Sequence, residues 1–243
     1  MRLSSFAGTD VGLARSGNED SHLRGRSVFA VADGLGGHQG GEVASAMAIE
    51  PLAALDGRAF ADATEAAEAL AGAVREGNRA IIERAGSDPA LWGMGTTATA
   101  AAAVAGGRVL QLAHVGDSRA YLLRGGGPLR QLTDDHTAVA EAVGRGLLTR
   151  AQAAVHPQRG VVTRAVGLDP DLRVDTPPPL ELGRGDQVLL CSDGLTEVVD
   201  DDRIAEVLAA QADGDGACRA LIAAANDAGG PDNVTIVLLR VGD

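Results

Sequence analysis

Residues 96–132 read TTATAAAAVA-GG-RVLQLAHV-GD-SRAYLL-RGGGP-LRQL. Four apolar or β-type runs are joined by short glycine turns. Such turns connect antiparallel neighbours, because a parallel crossover needs a dozen or more residues. The stretch therefore predicts an antiparallel meander. It also argues against a doubly wound fold, in which strand and helix alternate.

Working outward, Leu3 to Gly8 and Ser27 to Ala32 read as strands, followed by helices over Gly41–Leu55 and Asp62–Ala85. In the second helix Ala66, Leu70, Ala73, Val74 and Ile81 share one face, with Asp62 and Glu65 in capping-box positions. Beyond the meander, 137–160 is polar and weakly helical, a surface excursion. Strands over Leu172–Thr176 and Gln187–Cys191 follow, and Pro177-Pro178-Pro179 reads as a stiff loop. A second helix pair over Asp202–Gln211 and Ala217–Ala228 precedes a final strand, Asn233–Val241. Each amphipathic pair must cover a sheet face. An α+β, four-layer αββα sandwich of two antiparallel sheets satisfies the count, with 1–243 as one domain.

Composition narrows the function. Thirty-three Asp and Glu against 21 Lys and Arg give a net charge of −12, a surface that repels nucleic-acid backbones. All the basic residues are arginine, which excludes Walker-type, kinase and Schiff-base chemistry, since each needs a lysine. Neither a membrane-spanning run nor a signal pattern is found, and Cys191 and Cys218 alone make no disulfide framework. The expectation is a cytoplasmic protein with no membrane and no nucleic-acid partner.

Four times an apolar strand meets an acidic turn: at Asp33-Gly34, Gly116-Asp117, Asp193-Gly194, and Asp232-Asn233 opening the last strand. One Asp-Gly is an ordinary turn. Four carboxylates at strand ends in one domain repel unless a cation holds them. Oxygen ligands without paired His or Cys point to Mg²⁺ or Mn²⁺ rather than zinc. Of the five histidines, His22, His114 and His156 read as surface or satisfied core residues, while His38 and His136 stay open. Cys191 lacks the arginine that a cysteine-phosphatase loop places six positions on, where Glu197 stands. Arg15, beside Ser16-Gly17-Asn18-Glu19-Asp20, is either a solvated arginine or a planar fork for phosphate.

Segments 15–20, 31–38, 95–97, 114–119, 132–137, 191–195 and 229–233 together resemble, in order, the motifs of the metal-dependent type 2C serine/threonine protein phosphatases, in their bacterial stand-alone branch. The resemblance implies the same αββα sandwich. It implies that Asp33, Asp193 and Asp232, with the Gly34 carbonyl, ligate a core pair of Mn²⁺ or Mg²⁺ ions, with Glu19 and Asp20 holding metal-bound waters. Arg15 would grip the phosphate, Asp117 with Asp193 would bind a weaker third ion, and 137–160 would be the family's flap. The implied reaction is hydrolysis of phosphoserine or phosphothreonine on proteins by a metal-bridging hydroxide, opposing a serine/threonine kinase, by a monomer. Alternatives are a non-catalytic phosphoprotein-binding domain and a phosphatase of an anti-sigma factor antagonist. Leu35 stands where eukaryotic members place an acid histidine, so the leaving alkoxide takes its proton from a metal-bound water near Asp117 or from His38.

Overall fold

The computed structural model describes residues 2–35, 40–125 and 127–242. Strands β1 (Arg2–Asp10), β2 (Ser21–Arg24), β3 (Val28–Ala32) and β4 (Gly34–Leu35) lead into helices α1 (Gly40–Ala53) and α2 (Ala63–Ser87). Strands β5 (Gly95–Thr96), β6 (Ala98–Val104), β7 (Val109–Val115), β8 (Arg119–Leu123) and β9 (Arg130–Gln131) follow, then short helices α3 (Ala138–Gly144) and α4 (Arg150–Ala154). The chain continues through β10 (Leu180–Glu181), β11 (Gln187–Cys191), α5 (Asp193–Thr196), α6 (Asp201–Ala210), α7 (Gly214–Asp227) and β12 (Val234–Gly242). Among the described residues no helix is long and apolar enough to cross a membrane.

Two five-stranded antiparallel sheets result, ordered β1-β12-β11-β8-β9 and β10-β7-β6-β3-β2. Alternation along the strands builds the layers. On β11, Val188 and Leu190 face Phe29, Val31, Leu112 and Val237 between the sheets. Leu189 and Cys191 turn the other way, onto Ile204, Leu208 and Leu221 of α6 and α7. On the second sheet Ala100 and Ala102 meet Leu52, Leu70, Val74 and Ile81 of α1 and α2. The four layers match the sandwich expected from the sequence. At the start of α2, Asp62 Oδ1 accepts from the Glu65 amide at 2.9 Å, while Glu65 reaches one residue further back than a capping box requires, to the Ala61 amide at 2.6 Å.

Two expectations need correction. The 96–132 run is not one meander. β6–β7 and β8–β9 are hairpins, but β7 and β8 belong to different sheets, so Gly116-Asp117-Ser118 crosses the sandwich. A three-residue link spans about 10 Å, which is also the spacing of packed sheets, so its length alone does not choose between the two routes. Gly116 takes the corner at φ 108°, where a Cβ would stand 2.6 Å from Thr97. Secondly, Leu172–Thr176 forms no strand; Asp175 makes one isolated bridge to His114, and the prolines at 177–179 lack the amides to extend it. The β7 edge is instead paired by β10, which the sequence reading passed over. Strand β2 pairs with β3 although Ser21-His22-Leu23-Arg24 shows no apolar alternation.

Candidate metal centre and active site

The sandwich brings the acidic strand ends to one edge. Asp33 follows β3 in one sheet, while Asp193 and Asp232 flank the neighbouring strands β11 and β12 in the other. A cleft of about 130 Å³ is lined by Arg15, Glu19, Asp33, Gly34, Leu35, Asp193, Asp232 and Asn233. The glycine after Asp193 serves close approach rather than a turn. A Cβ on Gly194 would stand 1.9 Å from the Asn233 carbonyl oxygen, so any side chain there would push Asp193 away from Asp232.

Side-chain and backbone hydrogen bonds fix the segments that carry these carboxylates. Thr97 grips Asp33 twice: its hydroxyl accepts from the Asp33 amide at 2.9 Å, and its amide donates to the Asp33 carbonyl at 2.8 Å. The same hydroxyl lies 2.7 Å from Ser118 Oγ, next to Asp117. Asn233 joins three segments, accepting from the Glu19 amide at 2.8 Å and donating to the carbonyls of Val11 and Gly17 at 2.8 and 2.9 Å. Ser192 Oγ donates to Asp20 Oδ2 at 2.8 Å. Asn233, Thr97 and Ser192 carry no role in the sequence reading. Their only signal was adjacency to the acidic motifs.

The electrostatics are those of anions held together without enough cation. Burial, and then the charges of Asp193 and Asp20, push the Asp33 carboxyl well above the usual range. Burial followed by the charge of Asp117 raises Asp193 to about 7. Burial followed by Asp135 raises Asp117 to about 6. Asp20 is raised by burial, and its Oδ1 is buried without a hydrogen-bond partner among the described residues. Arg15, itself exposed, places Nη2 2.6 Å from Asp232 Oδ2 at the mouth of the cleft. Asp117 does not line the cleft, yet its charge reaches both Asp33 and Asp193.

These residues fit a hard divalent cation. The donor set is all oxygen, the carboxylates repel, and the Asp20 oxygen lacks a donor. Among the described residues no three His, Cys, Asp or Glu side chains already close on one point. Mg²⁺-type ions do not require that, since they keep several waters and take one or two carboxylates each. Other chemistry is disfavoured: burial pushes the Cys191 thiol up to about 12, far from a nucleophilic thiolate. His114 is a satisfied core residue, bonded to Thr99 Oγ1 at 2.9 Å and near the Asp134 carbonyl at 3.1 Å. Burial and then His136 lower it to about 4. His136 does not line the cleft, and His38 lies outside the described residues.

A family model described as protein phosphatase 2C matches residues 15–223. The serine/threonine protein phosphatase PstP of Mycobacterium tuberculosis is 45% identical over 247 residues, an alignment covering 99% of this chain and 45% of that protein. The chain thus spans less than half of PstP. The serine/threonine phosphatase stp of Listeria monocytogenes is 38% identical over 239 residues, covering 96% of this chain and 93% of that one. A crystal structure of the PstP catalytic domain in complex with two manganese ions matches with a TM-score of 0.89 at 41% identity, covering 99% of each chain.

Proposed function

The chain belongs to the protein phosphatase 2C family, and we propose that it hydrolyses phosphoserine and phosphothreonine on proteins with the help of Mn²⁺ or Mg²⁺. One observation carries the reading: buried, mutually repelling carboxylates converge on a single cleft whose only lining cation among the described residues is Arg15. The manganese pair in the PstP catalytic domain supports the choice of metal.

On this reading Asp33, Asp193 and Asp232, with the Gly34 carbonyl, hold the two core ions. Glu19 and Asp20 act through waters, and Asp117 with Asp193 serves a weaker third ion. A bound pair of divalent ions supplies an ionised water at neutral pH and neutralises phosphate charge. The protein's own part is positional. Thr97 and Asn233 fix the backbone that carries the acidic residues, and Ser192 holds the Asp20 carboxylate, so little reorganisation is left when phosphate arrives. Arg15 is placed to turn its planar fork from Asp232 to two phosphate oxygens. Any proton on the raised Asp33 and Asp193 carboxyls must leave as metal enters.

Residues 1–243 are read as one catalytic domain with a flap over 137–160. Its substrates are phosphoproteins, a serine/threonine kinase among them, and it acts as a monomer. Both cysteines are free, in keeping with the cytoplasm. The test is hydrolysis of a phosphothreonine peptide with Mn²⁺, with Mg²⁺ and with chelator. Turnover in either metal and its loss in chelator are expected. Equal rates in all three would contradict the proposal.

A further inference from the structure

Gly116 is held at both of its backbone polar atoms by a single residue. The His136 amide donates to the Gly116 carbonyl at 2.8 Å, and the Gly116 amide donates to His136 Nδ1 at 3.0 Å. His136 thus stands in for a neighbouring strand at a glycine that lies between the two sheets. Its own carbonyl accepts from the Thr163 amide at 2.8 Å, and Thr137 bridges Val162. One buried residue therefore joins both ends of the 137–160 segment to the crossover that carries Asp117.

Nδ1 faces the Gly116 N–H and presents its lone pair to it. The other ring nitrogen, Nε2, lies 2.8 Å from Arg164 Nη1 and 3.2 Å from Asp175 Oδ2. Asp175 is fixed in turn by Arg164, whose Nη1 donates to Oδ1 at 2.8 Å, and by paired backbone bonds to His114 at 2.8 and 3.0 Å. Gly116, at φ 108°, has no side chain to hold the corner, and glycine is the residue with the most backbone freedom to lose.

We propose that His136 is a positioning residue: through the Gly116 amide it fixes the turn that carries Asp117, and ties that setting to the base of the 137–160 segment. The inference rests on the phosphatase reading for its consequence, the affinity of the Asp117 ion. Partners that orient metal ligands typically change affinity 10–100-fold when removed.

Asparagine can present an acceptor near Nδ1, whereas glutamine reaches toward Nε2, so the two substitutions separate the ring's contacts. His136→Asn, His136→Gln and His136→Ala are compared with the wild type in three measurements. These are Gly116 amide hydrogen exchange in metal-free protein, Mn²⁺ binding by calorimetry, and thermal midpoint in chelator. The expected result is Gly116 protection and weakest-site Mn²⁺ affinity within about threefold of wild type for Asn, and roughly tenfold or greater loss of both for Gln and Ala. A merely structural role would lower the midpoint without separating Asn from Gln. If Ala or Gln does not fold, the Asn variant decides: retained protection and affinity support the inference, and a tenfold loss in folded protein overturns it. Asn as impaired as Gln, or Gln matching wild type, also overturns it. A wild type that neither binds Mn²⁺ nor turns over phosphopeptide would instead bring down the phosphatase reading.

Discussion

Replacing Asp193 by asparagine should stabilise the metal-free protein while abolishing its activity. The carboxyl is raised from 3.8 to about 7, chiefly by burial and then by the charge of Asp117. At 1.36 kcal/mol per unit, its ionised form costs the fold at most about 4 kcal/mol at pH 8. Asparagine keeps the volume but carries no charge. Allowing for the cleft's partial opening to water, we expect a gain of about 2–4 kcal/mol, or a rise in thermal midpoint of roughly 4–16 °C for a chain of this length. The pH dependence has a definite sign. A raised folded pKa means the wild-type fold takes up a proton as pH falls from 7 toward 3.8, gaining stability that the variant does not gain. The advantage of Asp193→Asn should therefore be largest at pH 8 and vanish near pH 4. Adding Mn²⁺ should reverse the order, since only a binding-competent native state is stabilised by mass action. Peptide turnover should fall below about a tenth, a barrier increase of more than about 1.4 kcal/mol. The assay is calorimetric unfolding in chelator and in Mn²⁺ across pH 4–8. A variant less stable than wild type in chelator at pH 8, or a difference that ignores pH, would refute the reasoning.

Arg15→Ala should raise KM for phosphopeptide about tenfold with a smaller loss in kcat, because ground-state phosphate binding goes first; an unchanged KM in steady-state kinetics would return Arg15 to a purely structural partner of Asp232. Asp117→Asn should slow a phosphothreonine peptide at least about tenfold more than p-nitrophenyl phosphate, whose leaving group needs no proton. Equal slowing of the two substrates would separate Asp117 from leaving-group protonation. His114 is lowered from 6.5 to about 4 by burial and then His136, so the unfolded chain binds its proton first. Stability present above pH 6.5 is lost as pH falls toward 4, by about 3 kcal/mol at most. His114→Gln, compared with wild type in denaturant titrations over that window, should lack this component.

Layer count and core were legible because alternation is a local signal: the apolar runs at 28–32, 98–104 and 187–191 became central strands. Which sheet a strand joins is not local. The Gly116-Asp117-Ser118 link reads the same whether it folds back or crosses. Short edge strands such as β2 and β10 owe their existence to a partner rather than to their own sequence. The acidic residues of the site were visible as strand-end motifs. Their supports were not, because Asn233 acts on Glu19 across 214 positions and Ser192 on Asp20 across 172. His136 stood in a quoted motif, but its bond to Gly116 appears only once the crossover is built.

The centre itself is open to direct observation by anomalous diffraction at the manganese edge from crystals grown with Mn²⁺. Two strong peaks should appear in the cleft between Asp33, Asp193 and Asp232, with a weaker one toward Asp117, and the Asp193→Asn crystal should lose at least one of the strong pair. A cleft without peaks in crystals whose protein still hydrolyses the phosphothreonine peptide, or peaks bound elsewhere on the acidic surface, would contradict the assignment of these carboxylates as the metal centre.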